Sequence, residues 1–264
     1  MPGNDLTLLI DAARKAGDIA RSFWQHSPEV WEKPDGTGPV TQADLAVNAM
    51  LQETLRAARP DYGWLSEESE DSTARLSCDR VFIIDPIDGT RSFIAGEKTW
   101  AHSLAIAENG EIIAGVVFVP MLDRMYHAHQ GGPACLNGAP IRHSATTSLN
   151  GATVLGAKSN LDAAHWQGDP PPLKREFRPS LAYRMALVAQ GRFDAMLSLR
   201  DTWEWDVAAG TLIAVQAGAQ VSTRAGDALT FNNPTPSLPG IIAATPHIHR
   251  KLQARLAPPP ATPA

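Results

Sequence analysis

Cysteine is nearly missing from this chain: Cys78 and Cys135 are the only two in 264 residues. They follow no metal-ligand spacing, so no disulfide framework or thiolate zinc site is expected, and both read as free thiols of a reducing compartment. Positive charge is not in excess either. The formal net charge is −5, which argues against nucleic acid as a partner, because non-specific binding needs a basic footprint. No apolar run approaches the ~20 residues that span a bilayer, so no membrane partner is expected. Asp5, Asp11 and Asp18 leave the start of the chain without the apolar core of a secretion signal, and a cytoplasmic location is expected. Nucleophile motifs are lacking as well: there is no G-x-S-x-G and no C-x5-R. Gly131-Gly132-Pro133-Ala134 lacks the spacing of a dinucleotide fingerprint and reads as a turn. What the chain does have is apolar content, 44% against 19% charged, enough to bury a sizeable core in one large domain or two lobes.

The most informative stretch is Asp85-Pro86-Ile87-Asp88-Gly89-Thr90. It follows Val81-Phe82-Ile83-Ile84, an apolar β-branched run that reads as a buried strand. Pro86, with no N–H to donate, is expected to end the ladder pairing. Two carboxylates three residues apart at a buried strand end repel each other unless a cation lies between them. Carboxylate and carbonyl oxygens without a soft ligand nearby suit Mg²⁺. Gly89 and Thr90 then open a short helix over 91–94, whose free N–H groups form an anion site. Cation site beside anion site is the chemistry of a metal-assisted phosphatase. Read alone, D-x-x-D-G is equally a capped turn.

The rest of the chain supplies context. Leu6, Leu9, Ile10, Ala13, Ala16, Ala20 and Phe23 space an amphipathic first helix to about residue 25. Residues 31–40 read as a loop carrying Lys33. Thr41-Gln42-Ala43-Asp44 opens a second helix with a capping-box pattern. A strand over 62–66 delivers Glu67 and Glu68, followed by a polar loop over 71–79. Strands over 100–108, 112–120 and 124–129 form a meander ending near 148, turned at Asn109-Gly110. His127 and His129 share one strand face and read as a surface pair. Further on come a strand over 153–157, a helix over 181–190, a strand over 193–199 and a helix from Trp203 to about 217, with Asp201 or Thr202 as its cap. A strand over 241–244 and a helix over 247–256 follow, with His247 and His249 expected at the surface. Pro258-Pro259-Pro260 begins a tail expected to be disordered.

The hexapeptide with Phe93 resembles the first signature of the inositol monophosphatase superfamily, the lithium-sensitive Mg²⁺ phosphomonoesterases. Val40-Thr41-Gln42-Ala43-Asp44 matches that family's V-T-x-x-D, and Ser66-Glu67-Glu68 its S-E-E. Trp205-Asp206-Val207-Ala208-Ala209-Gly210 matches its second signature, W-D-x-A-A-G. The resemblance spans nearly the whole chain and implies a layered α-β-α-β-α sandwich, an α/β fold. An N-terminal α+β lobe over 1–148 would carry the first motifs, and a C-terminal α/β lobe over 149–257 would complete the site, with 258–264 as the tail. It implies two or three Mg²⁺ ions, with Mn²⁺ a substitute. Glu67, Asp85, the carbonyl of Ile87, Asp88 and Asp206 would be the ligands. Hydrolysis would be direct, by water, with Thr90 and Glu67 or Asp44 orienting and deprotonating it. The phosphate would rest on Gly89 and Thr90 near Asp88, with Lys33 reaching over from a family loop. Members are commonly homodimers.

Substrate choice is less determined. Inositol-specific members carry a glutamate about two helical turns before the W-D aspartate. Ser198 and Leu199 stand near that spacing here, with Arg200 or Asp201 as replacements. Ser180, Tyr183 and Arg184 are candidate substrate contacts. The expected partner is a small phosphorylated metabolite, foremost inositol monophosphate or a similar polyol phosphate. 3′-Phosphoadenosine 5′-phosphate is the alternative, then histidinol phosphate; a non-catalytic binding protein is the reading from another class.

Overall fold

The computed structural model describes residues 2–26, 28–33, 36 and 38–258. In chain order these form α1 (Pro2–Phe23), β1 (Val30–Glu32), β2 (Pro39–Thr41), α2 (Gln42–Ala58), β3 (Gly63–Ser66) and β4 (Arg80–Asp88). Then follow α3 (Thr90–Ile94), β5 (Ala101–Glu108), β6 (Glu111–Val119), β7 (Arg124–His129), β8 (Cys135–Leu136) and β9 (Ala139–Pro140). The second half holds β10 (Thr153–Leu155), β11 (Lys174–Glu176), α4 (Leu181–Ala189), β12 (Ala195–Ser198), β13 (Thr202–Trp203) and α5 (Glu204–Gln216). It closes with β14 (Gln220–Ser222), β15 (Ser237–Leu238), β16 (Ile241–Ala244) and α6 (Pro246–Gln253). Strands β3 to β9 make a seven-stranded sheet in sequence order, and a five-stranded sheet runs β11-β10-β12-β16-β14.

Strand alternation sorts the side chains into layers. On β4, Phe82 and Ile84 join the cluster under α1 and α2, while Val81 and Ile83 point into the cluster around α4 and α5. On the second sheet, Met196, Ile241 and Ala243 face that same central cluster. Leu197, Ile242 and Ala244 face outward onto Ile248 and Leu252 of α6. The order is therefore α-β-α-β-α. Helix α5 lies between two sheets, which is why Val207, Ala208, Ala209, Leu212, Ile213 and Ala214 bury nearly its whole circumference. It approaches β6 closely: a Cβ on Gly115 would sit 3.0 Å from the Ala209 carbonyl oxygen. Gly210 serves α4 instead of the sheet, since a Cβ there would lie 2.7 Å from Met185 Cβ.

Several expectations need correction. The stretch over 31–40 is not all loop, because β1 and β2 pair antiparallel from Val30↔Thr41 to Glu32↔Pro39. Pro86 interrupts the β4 ladder without ending it: pairing with β5 resumes at Asp88↔Ala101. The polar loop over 71–79 contains a 3-10 turn, Thr73–Ser77, with Arg75 buried. The cap of α5 is Trp203, because Thr202 and Trp203 pair with β15. The tail lies outside the described residues from 259 onward.

His249 is also not a surface residue. It is 2% exposed and shares a hydrogen bond of 2.9 Å with Ser222 Oγ. Burial holds its imidazole down to about 4. The unfolded chain then takes up the proton first, near the ordinary value of about 6.5. Stability contributed by neutral His249 is complete above that pH and is lost as pH falls toward 4. Between pH 7.5 and pH 5 the loss should be about 2 kcal/mol. Denaturant unfolding of wild type and His249→Gln at both pH values checks this; parallel pH slopes in the two proteins would contradict it.

Candidate active site

One strand end and one helix start converge on a single point. Asp85 and Asp88 come from the end of β4 and Asp206 from the first turn of α5, and each offers an oxygen within 4.8 Å of the others. A regular strand would send residues 85 and 88 to opposite faces. The irregular pairing prevents that: Asp85↔Ser103 and Asp88↔Ala101 set three steps on β4 against two on β5, the signature of a bulge. His102 holds the bulge from β5 through a hydrogen bond from Nδ1 to the Pro86 carbonyl. Its ring is fully buried beside Trp100 and Phe118, and burial lowers it to about 4, so it is neutral at pH 7. Ser103 Oγ donates to the Trp205 carbonyl at 2.8 Å and so ties the start of α5 to the same strand. Neither His102 nor Ser103 stands out in sequence, because strand alternation alone does not show which partner crosses to which loop.

The electrostatics of this cluster call for a cation. Asp85 is raised well above the usual carboxylate range by burial, then by Glu67, Asp88 and Asp206. Asp206 is raised by burial, then by Asp88 and Glu67. Asp88 is pushed up to about 6 by burial, against hydrogen bonds from Ser180 Oγ at 2.6 Å and the Ala182 N–H at 2.7 Å. Asp85 Oδ1 is buried with no hydrogen-bond partner among the described residues. Like charges this close, with an orphaned oxygen, fit a hard divalent cation and not zinc, whose sites favour His and Cys. The donor set therefore fits a metal centre.

Asp44 is both cap and neighbour. Its Oδ2 accepts the Thr41 N–H at 2.8 Å, and Thr41 Oγ1 accepts the Asp44 N–H at 3.3 Å, completing a capping box. Its Oδ1 lies 3.1 Å from Thr90 Oγ1, which is also 3.1 Å from the Ile87 carbonyl oxygen. One hydroxyl proton serves only one of these acceptors. Burial raises Asp44 to about 6, opposed by the Thr41 and Thr90 hydrogen bonds. Gly89 precedes Thr90 at φ +101°, a conformation that L side chains rarely adopt, and leaves the first N–H groups of α3 without helical acceptors.

Glu67 follows β3, its N–H bonded to the Ile84 carbonyl at 3.1 Å. It lines the same cavity, although it is not part of the tight three-carboxylate group. Lys33 Nζ lies 2.7 Å from Glu67 Oε1 and 2.8 Å from Glu68 Oε1. Burial alone would lower that ammonium, but the two glutamates raise it overall. Glu68 is pushed up to about 7 by burial and by Glu67.

A cavity of about 470 Å³ opens above the carboxylates, lined among others by Ile87, Gly89, Thr90, Arg184, Ser198 and Arg200. Asp201 is exposed and not part of its wall. Ser180 Oγ is engaged by Asp88 and by the Tyr183 N–H at 2.9 Å. Tyr183 points away, into the layer between the sheets, where its hydroxyl accepts from Arg124 at 2.7 Å. Arg184 is lowered to about 10 by burial and stays cationic at neutral pH, stacked 4.5 Å from the Phe177 ring centroid.

Residues 4–259 match the model of the inositol monophosphatase family. The chain belongs to that family. An inositol-1-monophosphatase of Rhizobium meliloti is 35% identical over 224 residues, covering 81% of this chain and 83% of its own. Nus factor SuhB of Escherichia coli is 31% identical over 263 residues, with 95% of each chain covered. The solved IMPase of Thermotoga maritima superposes with a TM-score of 0.81 at 29% identity, covering 95% of this chain and 96% of the other. The fold and the reaction class follow: this inositol monophosphatase family member is a phosphoric monoester hydrolase. Among its described residues no helix is long and apolar enough to cross a membrane.

Proposed function

We propose that the enzyme hydrolyses inositol monophosphate or a similar small polyol phosphate, with Mg²⁺ in the acidic cluster and Mn²⁺ an effective substitute. The orphaned, buried Asp85 Oδ1 among three mutually repelling carboxylates is the observation that carries the metal. The name of the Rhizobium relative supports the substrate. Asp85, Asp88, Asp206, Glu67 and the Ile87 carbonyl would hold the two or three ions. When bound, Mg²⁺ supplies charge stabilisation for the phosphoryl oxygens and makes the attacking water more acidic. Asp44 takes the Thr90 hydroxyl proton in a hydrogen bond, so that the Thr90 lone pairs face the water and orient it. Glu67 is the second acceptor for that water. The N–H groups of Gly89 and Thr90 receive the phosphate, and Arg184 adds positive charge from the cavity wall. Lys33 neutralises Glu67 from the β1–β2 hairpin. Ser180 holds Asp88 in place through its 2.6 Å hydrogen bond.

Two lobes, 1–148 and 149–257, would each contribute one sheet, with Asp206 completing the site from the second. Free thiols at Cys78 and Cys135 support a cytoplasmic location, and family resemblance supports a homodimer. Phosphate release should be fastest from inositol 1-phosphate among that ester, 3′-phosphoadenosine 5′-phosphate, histidinol phosphate and fructose 1,6-bisphosphate. Chelation should abolish it, Mg²⁺ should restore it, and lithium should inhibit it. Faster release from the nucleotide would overturn the polyol reading and leave the reaction class intact.

A further inference from the structure

The cavity wall contains a buried polar side chain whose acceptor end is not engaged by any described residue. Asn160 lies in the 3-10 turn Lys158–Leu161 that follows β10, is 7% exposed and lines the cavity. Its Nδ2 donates to the Leu197 carbonyl at 2.8 Å, and its main-chain carbonyl accepts Trp166 Nε1 at 2.9 Å. The seat depends on Gly156, because a Cβ there would lie 2.8 Å from Nδ2 and 3.1 Å from the Leu197 oxygen. A carbonyl only accepts, so the Leu197 oxygen dictates which end of the amide faces it. The Asn160 Oδ1 is thereby turned the other way, and no described residue donates to it. Three elements (the end of β10, the 3-10 turn and β12) thus hold a pre-oriented acceptor that no described residue engages.

The wall around it makes that acceptor significant. Ser198 and Leu199 bring no carboxylate to it, and Arg184 and Arg200 donate but do not accept. We infer that Asn160 Oδ1 accepts a hydrogen bond from a hydroxyl of the leaving alcohol, which makes Asn160 a specificity-determining residue. This rests on the polyol phosphatase reading and extends it to a named contact. A site built to bond a hydroxyl rejects the analogue that lacks it.

The test compares kcat/KM for inositol 1-phosphate and cyclohexyl phosphate, which share a ring and differ in the hydroxyls. Wild type should prefer inositol 1-phosphate. In Asn160→Ala the preference should fall about tenfold, in line with one hydrogen bond lost, through a rise in KM for inositol 1-phosphate that is much larger than any change for cyclohexyl phosphate. Equal losses on both esters, or an unchanged preference in Asn160→Ala, would each overturn the inference while leaving the polyol reading standing. Wild type that handles both esters equally, or neither, overturns the polyol reading first and the contact with it.

Discussion

Asp85→Asn should abolish turnover and at the same time stabilise the metal-free protein. Phosphate release is expected to fall by at least ~10³-fold, because several kcal/mol of transition-state charge stabilisation depend on the cation that this carboxylate would bind. Stability should move the opposite way. Asp85 is 1% exposed, one of its oxygens has no partner, and Glu67, Asp88 and Asp206 all oppose its charge. Asparagine keeps the shape and removes the repulsion, so the metal-free variant should be about 1–3 kcal/mol more stable at pH 7.5. A carboxyl whose folded pKa is raised binds its proton more readily folded than unfolded. Metal-free wild type therefore gains stability as pH falls, and the gap to Asp85→Asn narrows. Mg²⁺ at 1,000 times its Kd would add about 4.1 kcal/mol to wild type, more than that gap, and little to the variant. Thermal unfolding with chelator and with Mg²⁺ should thus show the two proteins exchanging rank. Unchanged rank in Mg²⁺ would mean that the cluster does not hold the ion.

The same cluster shows where sequence reasoning succeeds and where it stops. Asp85 and Asp88 were legible because the proline, glycine and threonine around them have their own physical reasons, whereas Asp206 and the layer order were expected from the family resemblance. The strands themselves were legible where 81–84 and 241–244 are apolar throughout, as strands covered on both faces must be. What escaped was cross-chain. Nothing near His102 shows that its ring supports the Pro86 carbonyl across a strand pair. Tyr183 was a candidate substrate contact beside Arg184, but one residue of α4 turns by about 100°, enough to send it into the core. His249 looked external because a polar residue in a short C-terminal helix normally is, and only the position of Ser222 on β14 shows otherwise. The pairing of β1 with β2 was hidden because glycine and proline within 31–40 read as loop in the sequence.

Glu204 is the clearest residue of this kind, and Glu204→Ala should be strongly destabilising. In the sequence it is one more carboxylate in the first turn of α5, explained well enough by the helix dipole. In the fold it is completely buried. Its Oε2 accepts the Asn232 N–H at 2.6 Å, and its Oε1 accepts the Asn233 N–H at 2.9 Å and Asn233 Nδ2 at 2.7 Å. Arg75 braces the same turn from the other side, donating to Asn232 Oδ1 at 2.6 Å and to the Asn233 carbonyl at 2.9 Å. Burial raises the Glu204 carboxyl, and these N–H groups oppose the rise. Alanine leaves three donors without an acceptor at about 1–3 kcal/mol each before relaxation, so a net loss of about 3–5 kcal/mol is expected. Glu204→Gln should lose less, since it keeps one acceptor oxygen. The damage should also reach the site. Asp206 is two residues further along the helix whose start Glu204 secures, so the Mg²⁺ concentration for half-maximal activity should rise in both variants at temperatures where they remain folded. Denaturant unfolding and Mg²⁺ titration of phosphate release measure the two effects separately. A stability loss under 1 kcal/mol in Glu204→Ala would show that water replaces the carboxylate; a large loss with unchanged Mg²⁺ dependence would show that Ser103 alone positions the start of α5.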